Sequence, residues 1–281
     1  MKVALTEKPG PIGVFDSGYG GLTILHEIRQ LMPQYDYLYL GDNARTPYGT
    51  CSFEVVYEFT REAVQKLFDL GCHLVILACN TASAKALKTI QQNDLPQMEG
   101  ETRRVLGVIR PTAECIGQIT HSRHVGILAT SGTISSGSYP LEIRKLYPDI
   151  VVSGEACPMW VPLVENYEYD SPGADYFVEK RIGNLLRKDP AIDTIVLGCT
   201  HYPLLLNKIL KYTPRNVRIV PQGEYVAYSL KDYLQRHTEI ETLCTQSGTC
   251  RFLTTESPDK FMESASIFLR QHVEAERVVL E

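Results

Sequence analysis

The sequence predicts an α/β protein whose parallel sheets are flanked by helices. Short apolar, β-branched runs alternate with longer segments of helical period along most of the 281 residues, and such alternation builds parallel sheets. The short runs are apolar on both faces, as strands covered by helices on either side require. A third observation is an internal echo. Leu74-Val75-Ile76-Leu77-Ala78-Cys79-Asn80-Thr81 resembles Thr194-Ile195-Val196-Leu197-Gly198-Cys199-Thr200-His201. Each is an apolar strand, a small residue, a cysteine, then polar residues opening a helix. Cys79 and Cys199 stand roughly 120 positions apart, close to one domain length. The echo suggests two similar α/β units facing each other across a cleft, each offering one thiol.

In chain order, Ile12–Phe15 reads as the first strand. Asp16-Ser17-Gly18-Tyr19-Gly20-Gly21 then leads into a helix over 22–31. This turn lacks the Lys-Ser/Thr ending of a phosphate loop and the full GxGxxG spacing, so it gives nucleotide binding little support. It is either a tight turn capped by Asp16 or Ser17, or it puts that carboxylate and hydroxyl at the mouth of the cleft. Tyr37–Leu40 reads as the second strand and is followed by the polar loop 41–49, punctuated by Pro47. Loops at strand ends carry function more often than others, and a solvated turn is the alternative. The clearest helix runs from Ser52 to Leu70, with Phe53, Val56, Tyr57, Ala63, Val64, Leu67 and Phe68 recurring at three- and four-residue spacing. Ser52 is the expected N-cap, Glu54 suits the positive end of the helix dipole, and Gly71 stops the helix in the left-handed region. Leu74–Ala78, Val105–Ile109, Val125–Ala129, Ile150–Val152, Thr194–Leu197 and Val217–Val220 are the remaining predicted strands.

Composition excludes several classes. With 28 basic and 33 acidic side chains the formal charge is −5, and no basic block offers a footprint for nucleic acid. No apolar run approaches the ~18 residues of a membrane helix, and residues 1–8 turn polar too soon for a signal peptide. A soluble, intracellular protein is expected. Among its eight cysteines there is no CxxC pair to mark a zinc ribbon or a thioredoxin-type site. The default reading is eight thiols in a reducing compartment, most of them small buried side chains. Cys244 and Cys250 flank Gln246-Ser247-Gly248 and would face each other if that turn closed a hairpin. His121-Ser122-Arg123-His124 reads as a polar turn with no metal cluster.

Ligands of open parallel sheets bind beyond the carboxyl ends of the strands, which is where Cys79 and Cys199 fall. Backbone N–H groups at the helix starts behind them favour an anion, either a substrate carboxylate or the thiolate itself. His201, two residues after Cys199, is placed to lower a thiol pKa or relay a proton; a solvent-facing histidine at a helix start is the alternative.

Side by side, the segments FDSGYGG (15–21), GDNARTPYG (41–49), ACNTAS (78–83), GILATSGTI (126–134), CPMWVPLVE (157–165) and GCTHYPLL (198–205) resemble glutamate racemases, within the cofactor-independent aspartate/glutamate racemase superfamily. The resemblance spans about 190 residues in chain order, and His-Tyr-Pro after Cys199 favours glutamate over aspartate. It implies two flavodoxin-like domains, pseudo-symmetric about a central cleft: 1–104 plus 222–281, carrying Asp16, Tyr48 and Cys79, and 105–221, carrying Cys199 and His201. It makes Cys79 and Cys199 the acid/base thiols, with Asp16 and His201 assisting them and Glu165 a partner of His201. Asp16, Ser17, Pro47, Tyr48, Gly49, Asn80, Thr81, Thr130, Thr133, Thr200 and His201 would bind substrate. It further implies no cofactor and no metal, a homodimer, and cytoplasmic supply of D-glutamate for peptidoglycan. The family pattern has Cys79 take the proton from D-glutamate and Cys199 from L-glutamate. Departures from that pattern are Tyr19, Arg110-Pro111-Thr112 and Gln222-Gly223; the last two lie near the expected domain crossings.

Other readings of the residues remain. An aspartate racemase on the same scaffold differs in substrate alone. A cysteine hydrolase or transferase needs only Cys199 and His201. A non-catalytic two-lobed binding module needs no thiol, and a pyridoxal-phosphate racemase needs a Schiff-base lysine that no lysine here obviously supplies.

Overall fold

The computed structural model describes residues 7–98, 102–269 and 271–280. Among these residues ten strands form two sheets: β1 (Ile12–Asp16), β2 (Tyr37–Gly41), β3 (Leu74–Leu77), β4 (Arg104–Gly107), β5 (His124–Ala129), β6 (Val151–Ala156), β7 (Thr194–Gly198), β8 (Arg218–Val220), β9 (Cys250–Thr254) and β10 (Ala275–Arg277). The first sheet has the order β10-β9-β2-β1-β3-β4 and the second β6-β5-β7-β8. Every ladder in both sheets is parallel. The predicted α/β class with helix-covered parallel sheets is therefore what the chain adopts.

The internal echo has a topological counterpart. The segment β2-β1-β3-β4 and the whole second sheet share one strand order, so β3 and β7, which lead into Cys79 and Cys199, are equivalent strands. Both are buried throughout.

Alternation along the strands divides each core in two. In the first sheet Ile12, Val14, Tyr37, Tyr39, Leu74 and Ile76 face the helices Gly21–Leu31, Gly223–Arg236 and Pro258–Leu269. Phe15, Leu38, Leu40, Val75 and Leu77 face the helix Phe53–Asp69 on the other side. That helix starts as expected: Ser52 accepts a hydrogen bond from the Val55 N–H, and Gly71 follows with φ +91°. In the second sheet Leu128, Ile195 and Leu197 pack with Trp160, Val178 and Ile182, while Val125, Ile127 and Val196 pack with Ile109, Ile116 and Tyr139.

Several expectations change. Val105–Ile109 is not one strand: β4 ends at Gly107 and Ile109 opens a helix, Ile109–Ile119, that packs on the second sheet. The chain thus leaves the first sheet after Gly107. Residues 150–152 extend into a longer strand, β6, that begins at Val151. Cys244 and Cys250 do not face each other across a hairpin. Cys244 lies beside Gly10 in a parallel bridge, while Cys250 opens β9 against Tyr37. The turn between them is held by Asp36, whose Oδ1 accepts from the Ser247 and Thr249 N–H groups and the Thr249 hydroxyl. All eight cysteines are free thiols. Among the described residues no helix is long and apolar enough to cross a membrane.

Candidate active site

The loops at the carboxyl ends of six strands meet at one cleft. Ser17 follows β1, 46–50 follow β2, Cys79 to Thr81 follow β3, Thr130 and Ser131 follow β5, Cys157 and Pro158 follow β6, and Cys199 to His201 follow β7. Both sheets contribute, so the cleft lies between them. Contacts across it are direct. The Thr81 hydroxyl lies 3.0 Å from that of Thr130 and 3.3 Å from that of Thr133, and the Thr23 hydroxyl donates to the Thr200 carbonyl at 3.1 Å. Gly20 is needed for this approach: a Cβ there would lie 2.3 Å from Thr200 Oγ1 and 2.4 Å from His201 Nδ1. Gly49 meets Thr130 in the same way, at 2.9 Å from its Cβ.

The two thiols sit in different electrostatic settings. Cys79 is 6% exposed, at the N-cap position of the helix Asn80–Lys85, with Sγ 3.2 Å from the Ser17 hydroxyl. Burial pushes its pKa up to about 12, the Asp16 charge adds to the rise, and the Ser17 hydroxyl and the Ala82 N–H oppose it. At neutral pH Cys79 is a thiol. Cys199, equally buried, has Sγ 3.9 Å from His201 Nδ1, and His201 Nε2 lies 3.0 Å from Glu165 Oε1. Burial opposes a charge on His201, yet the hydrogen bonds to Cys199 and Glu165 outweigh it and raise the pKa to about 10. An imidazolium therefore stands beside Cys199.

Asp16 is fully buried at the end of β1. Burial pushes its pKa up, against the pull of His201 and of the Gly21 and Gly18 N–H groups. Its Oδ2 accepts from the Gly18 N–H at 2.9 Å, while Oδ1 is buried with no partner among the described residues. Such an orphan carboxylate oxygen calls for a role.

Of the other expected residues, Pro47, Tyr48 and Gly49 line the cleft after the cis peptide Thr46–Pro47. The Tyr48 hydroxyl is engaged by Asp42, which also holds Arg45 at 2.7 Å. Asn80 and Thr81 also line the cleft, but the Asn80 amide is bonded away from it, to Gln222 and Tyr139. Thr130 lines the cleft, whereas Thr133 stands behind it, bonded to the Thr130 hydroxyl at 3.1 Å. Glu165 reaches the site through His201. The sequence reading missed the wall made by Cys157, Pro158, Val161 and Pro162; the segment CPMWVPLVE was its only signal. Among the described residues no group of three or more His, Cys, Asp and Glu side chains is arranged to hold a metal ion.

Comparison with known proteins points the same way. Residues 23–223 match the family model described as Asp/Glu/Hydantoin racemase. The glutamate racemase of Roseobacter denitrificans is 37% identical over 273 residues, covering 94% of this chain and 98% of that protein. The crystal structure of glutamate racemase isoform RacE1 from Bacillus anthracis superposes with a TM-score of 0.87 at 34% identity, over 96% of this chain and 98% of that one. The glutamate racemase of Francisella tularensis, solved in complex with D-glutamate, gives a TM-score of 0.83 at 32% identity over 99% of both chains.

Proposed function

We propose that this chain, which belongs to the Asp/Glu/Hydantoin racemase family, interconverts L- and D-glutamate by moving the α-proton between two thiols, without a cofactor. The observation that carries the reading is the pair of equivalent strand ends, β3 and β7, each delivering one buried cysteine to a shared cleft.

Racemisation takes a proton from one face of Cα and delivers another to the opposite face. A single base tends to return the proton it took, so two groups on opposite sides are the direct solution. In the L-to-D direction Cys199 acts as thiolate with the His201 imidazolium as counter-ion and accepts the α-proton. Cys79, held as a thiol, donates its own proton to the other face, which leaves Cys79 as thiolate and Cys199 as thiol. The D-to-L direction runs these steps backwards. The α-carbon is a very weak acid, and each unit of pKa mismatch costs ~1.4 kcal/mol. The site must therefore stabilise negative charge developing toward the α-carboxylate with fixed donors in a closed cleft. The hydroxyls of Ser17, Thr81 and Thr200 and the N–H groups of the strand-end loops are the donors we assign to the two carboxylates. Asp16 is buried behind the cleft lining and acts through its charge on Cys79. Pro47, Tyr48, Gly49 and Thr130 shape the wall, while Asn80, Thr133 and Glu165 act through their neighbours.

The same reading treats the chain as two domains, with the first crossing placed beyond Gly107 and the return at residues 221–222. It also carries a homodimeric enzyme of the bacterial cytoplasm that supplies D-glutamate for peptidoglycan; resemblance to the family supports those extensions. Circular dichroism with a panel of L- and D-amino acids and no added cofactor tests the substrate. Loss of optical rotation is expected with glutamate from either enantiomer. Turnover of aspartate in preference to glutamate contradicts the assignment.

A further inference from the structure

We infer that a closed ring of hydrogen bonds among Asn80, Gln222 and Tyr139 fixes the spacing of the two cysteine-bearing strand ends, making Gln222 and Tyr139 positioning residues for proton transfer. The inference rests on the two-thiol reading above and goes beyond it by naming what holds the thiols in register.

The ring runs in one sense. Asn80 Nδ2 donates to Gln222 Oε1 at 2.6 Å, Gln222 Nε2 donates to the Tyr139 hydroxyl at 2.6 Å, and that hydroxyl donates to Asn80 Oδ1 at 2.7 Å. Each group gives one hydrogen bond and accepts one, so the three polarise one another. The remaining capacity of the Gln222 amide goes to Thr112 Oγ1 at 2.9 Å and the Val108 carbonyl at 3.2 Å. All four side chains are at least 97% buried, and a buried ring with every member satisfied is rigid, whereas one broken at a single bond is costly.

Its placement links the two halves of the site. Asn80 is the residue after Cys79. Tyr139 comes from the helix Ser138–Leu146, and its ring edge would lie 3.1 Å from a Cβ on Gly198, the residue before Cys199. Gln222 and Val108 sit at the two points where the chain passes between the sheets. One ring therefore touches the residue next to each thiol and both crossings. Gln222 and Thr112, which the sequence sets apart as separate departures from the family pattern, are hydrogen-bonded to each other and form one feature. A shorter side chain at position 222 would leave Tyr139 and Asn80 each with an unmade bond.

The test compares the wild-type chain with Tyr139→Phe, Gln222→Met and the double variant in D₂O, starting separately from L- and D-glutamate. Two quantities are read: kcat against KM, and, at low conversion, the deuterium in recovered substrate relative to that in product. The second is a ratio per catalytic event and is insensitive to the fraction of enzyme that is folded. If the ring sets the spacing, kcat falls roughly ten- to a hundredfold with KM little changed. The deuterium ratio rises, because slower delivery from the displaced far thiol leaves the near thiol time to exchange the hydrogen it took for solvent deuterium before returning it. The double variant is no worse than the poorer single. An unchanged ratio in Tyr139→Phe, or losses that multiply in the double variant, overturns the inference. Tyr139→Phe removes one oxygen and carries the test alone if Gln222→Met does not fold. A wild-type chain that moves no α-proton brings down the function and this inference together; an active wild type with an unaltered Tyr139→Phe brings down this inference alone.

Discussion

At the scale of single residues, the chemistry depends on two like groups held in unlike surroundings. Burial and the neighbouring Asp16 keep Cys79 protonated up to a pKa of about 12, whereas the imidazolium of His201 stands 3.9 Å from Cys199. Since thiolates are the nucleophiles, limited alkylation with iodoacetamide at pH 8, followed by peptide mapping, should label Cys199 before Cys79; the opposite order contradicts this assignment. His201 gives a second prediction. Its folded pKa of about 10 lies above the ordinary 6.5, so its stabilising contribution is complete below about 6.5 and is lost as pH rises through about 10. In that window the unfolded chain holds fewer protons, so stability falls as pH rises. Urea midpoints taken from pH 6.5 to 10 should decline more for the wild type than for His201→Gln; parallel declines contradict the pairing. These residues differed in how legible they were. The cysteines could be read because each follows a strongly apolar strand. The wall of Cys157, Pro158, Val161 and Pro162 could not, since a sequence does not reveal that one loop folds over another sheet's cleft. Asn80 was found for its position beside Cys79, but which way its amide points depends on Tyr139 and Gln222, far away in the chain.

At the scale of elements, the close approach of the two lobes rests on residues without side chains. Gly20 ends the loop after β1, and a Cβ there would meet Thr200 Oγ1 and His201 Nδ1 at 2.3 and 2.4 Å. Its backbone is helical, φ −58° and ψ −36°, so an alanine fits the local conformation and the clash falls across the cleft. Gly20→Ala should keep the circular dichroism spectrum of the wild type while losing activity by about a hundredfold, as expected when reacting groups are displaced by about an ångström. Near-normal kcat in a folded Gly20→Ala protein contradicts the tight register. Strands and helices with strong patterns were legible in advance: β1, β2, β3 and β7 are buried throughout, and the helix Phe53–Asp69 begins and ends where Ser52 and Gly71 place it. β9 and β10 escaped notice. In Cys250–Thr254 a charged Arg251 interrupts the apolar run, and Ala275–Arg277 is a three-residue edge strand that gains its order from pairing with β9. The boundary at Ile109 was lost for a similar reason, because an apolar run continued from the end of β4 into the next helix.

At the scale of the whole molecule, one strand order used twice brings two equivalent strand ends to a common cleft. The duplication was visible as an eight-residue echo, and the shared order β2-β1-β3-β4 and β6-β5-β7-β8 gives it physical form. Resemblance to the family put the crossing near residue 104, and which sheet the helix Ile109–Ile119 covers fixes where the first sheet ends. The architecture offers one thiol from each lobe, and the proposed chemistry needs both. The direct measurement is proton NMR of D-glutamate in D₂O with the purified chain, without added cofactor, for the wild type, Cys79→Ser and Cys199→Ser. The account predicts that the wild type exchanges the α-proton and forms L-glutamate, and that each substitution alone lowers inversion by at least a thousandfold, about 4 kcal/mol in the barrier. Near-normal inversion by either variant would contradict the two-thiol mechanism.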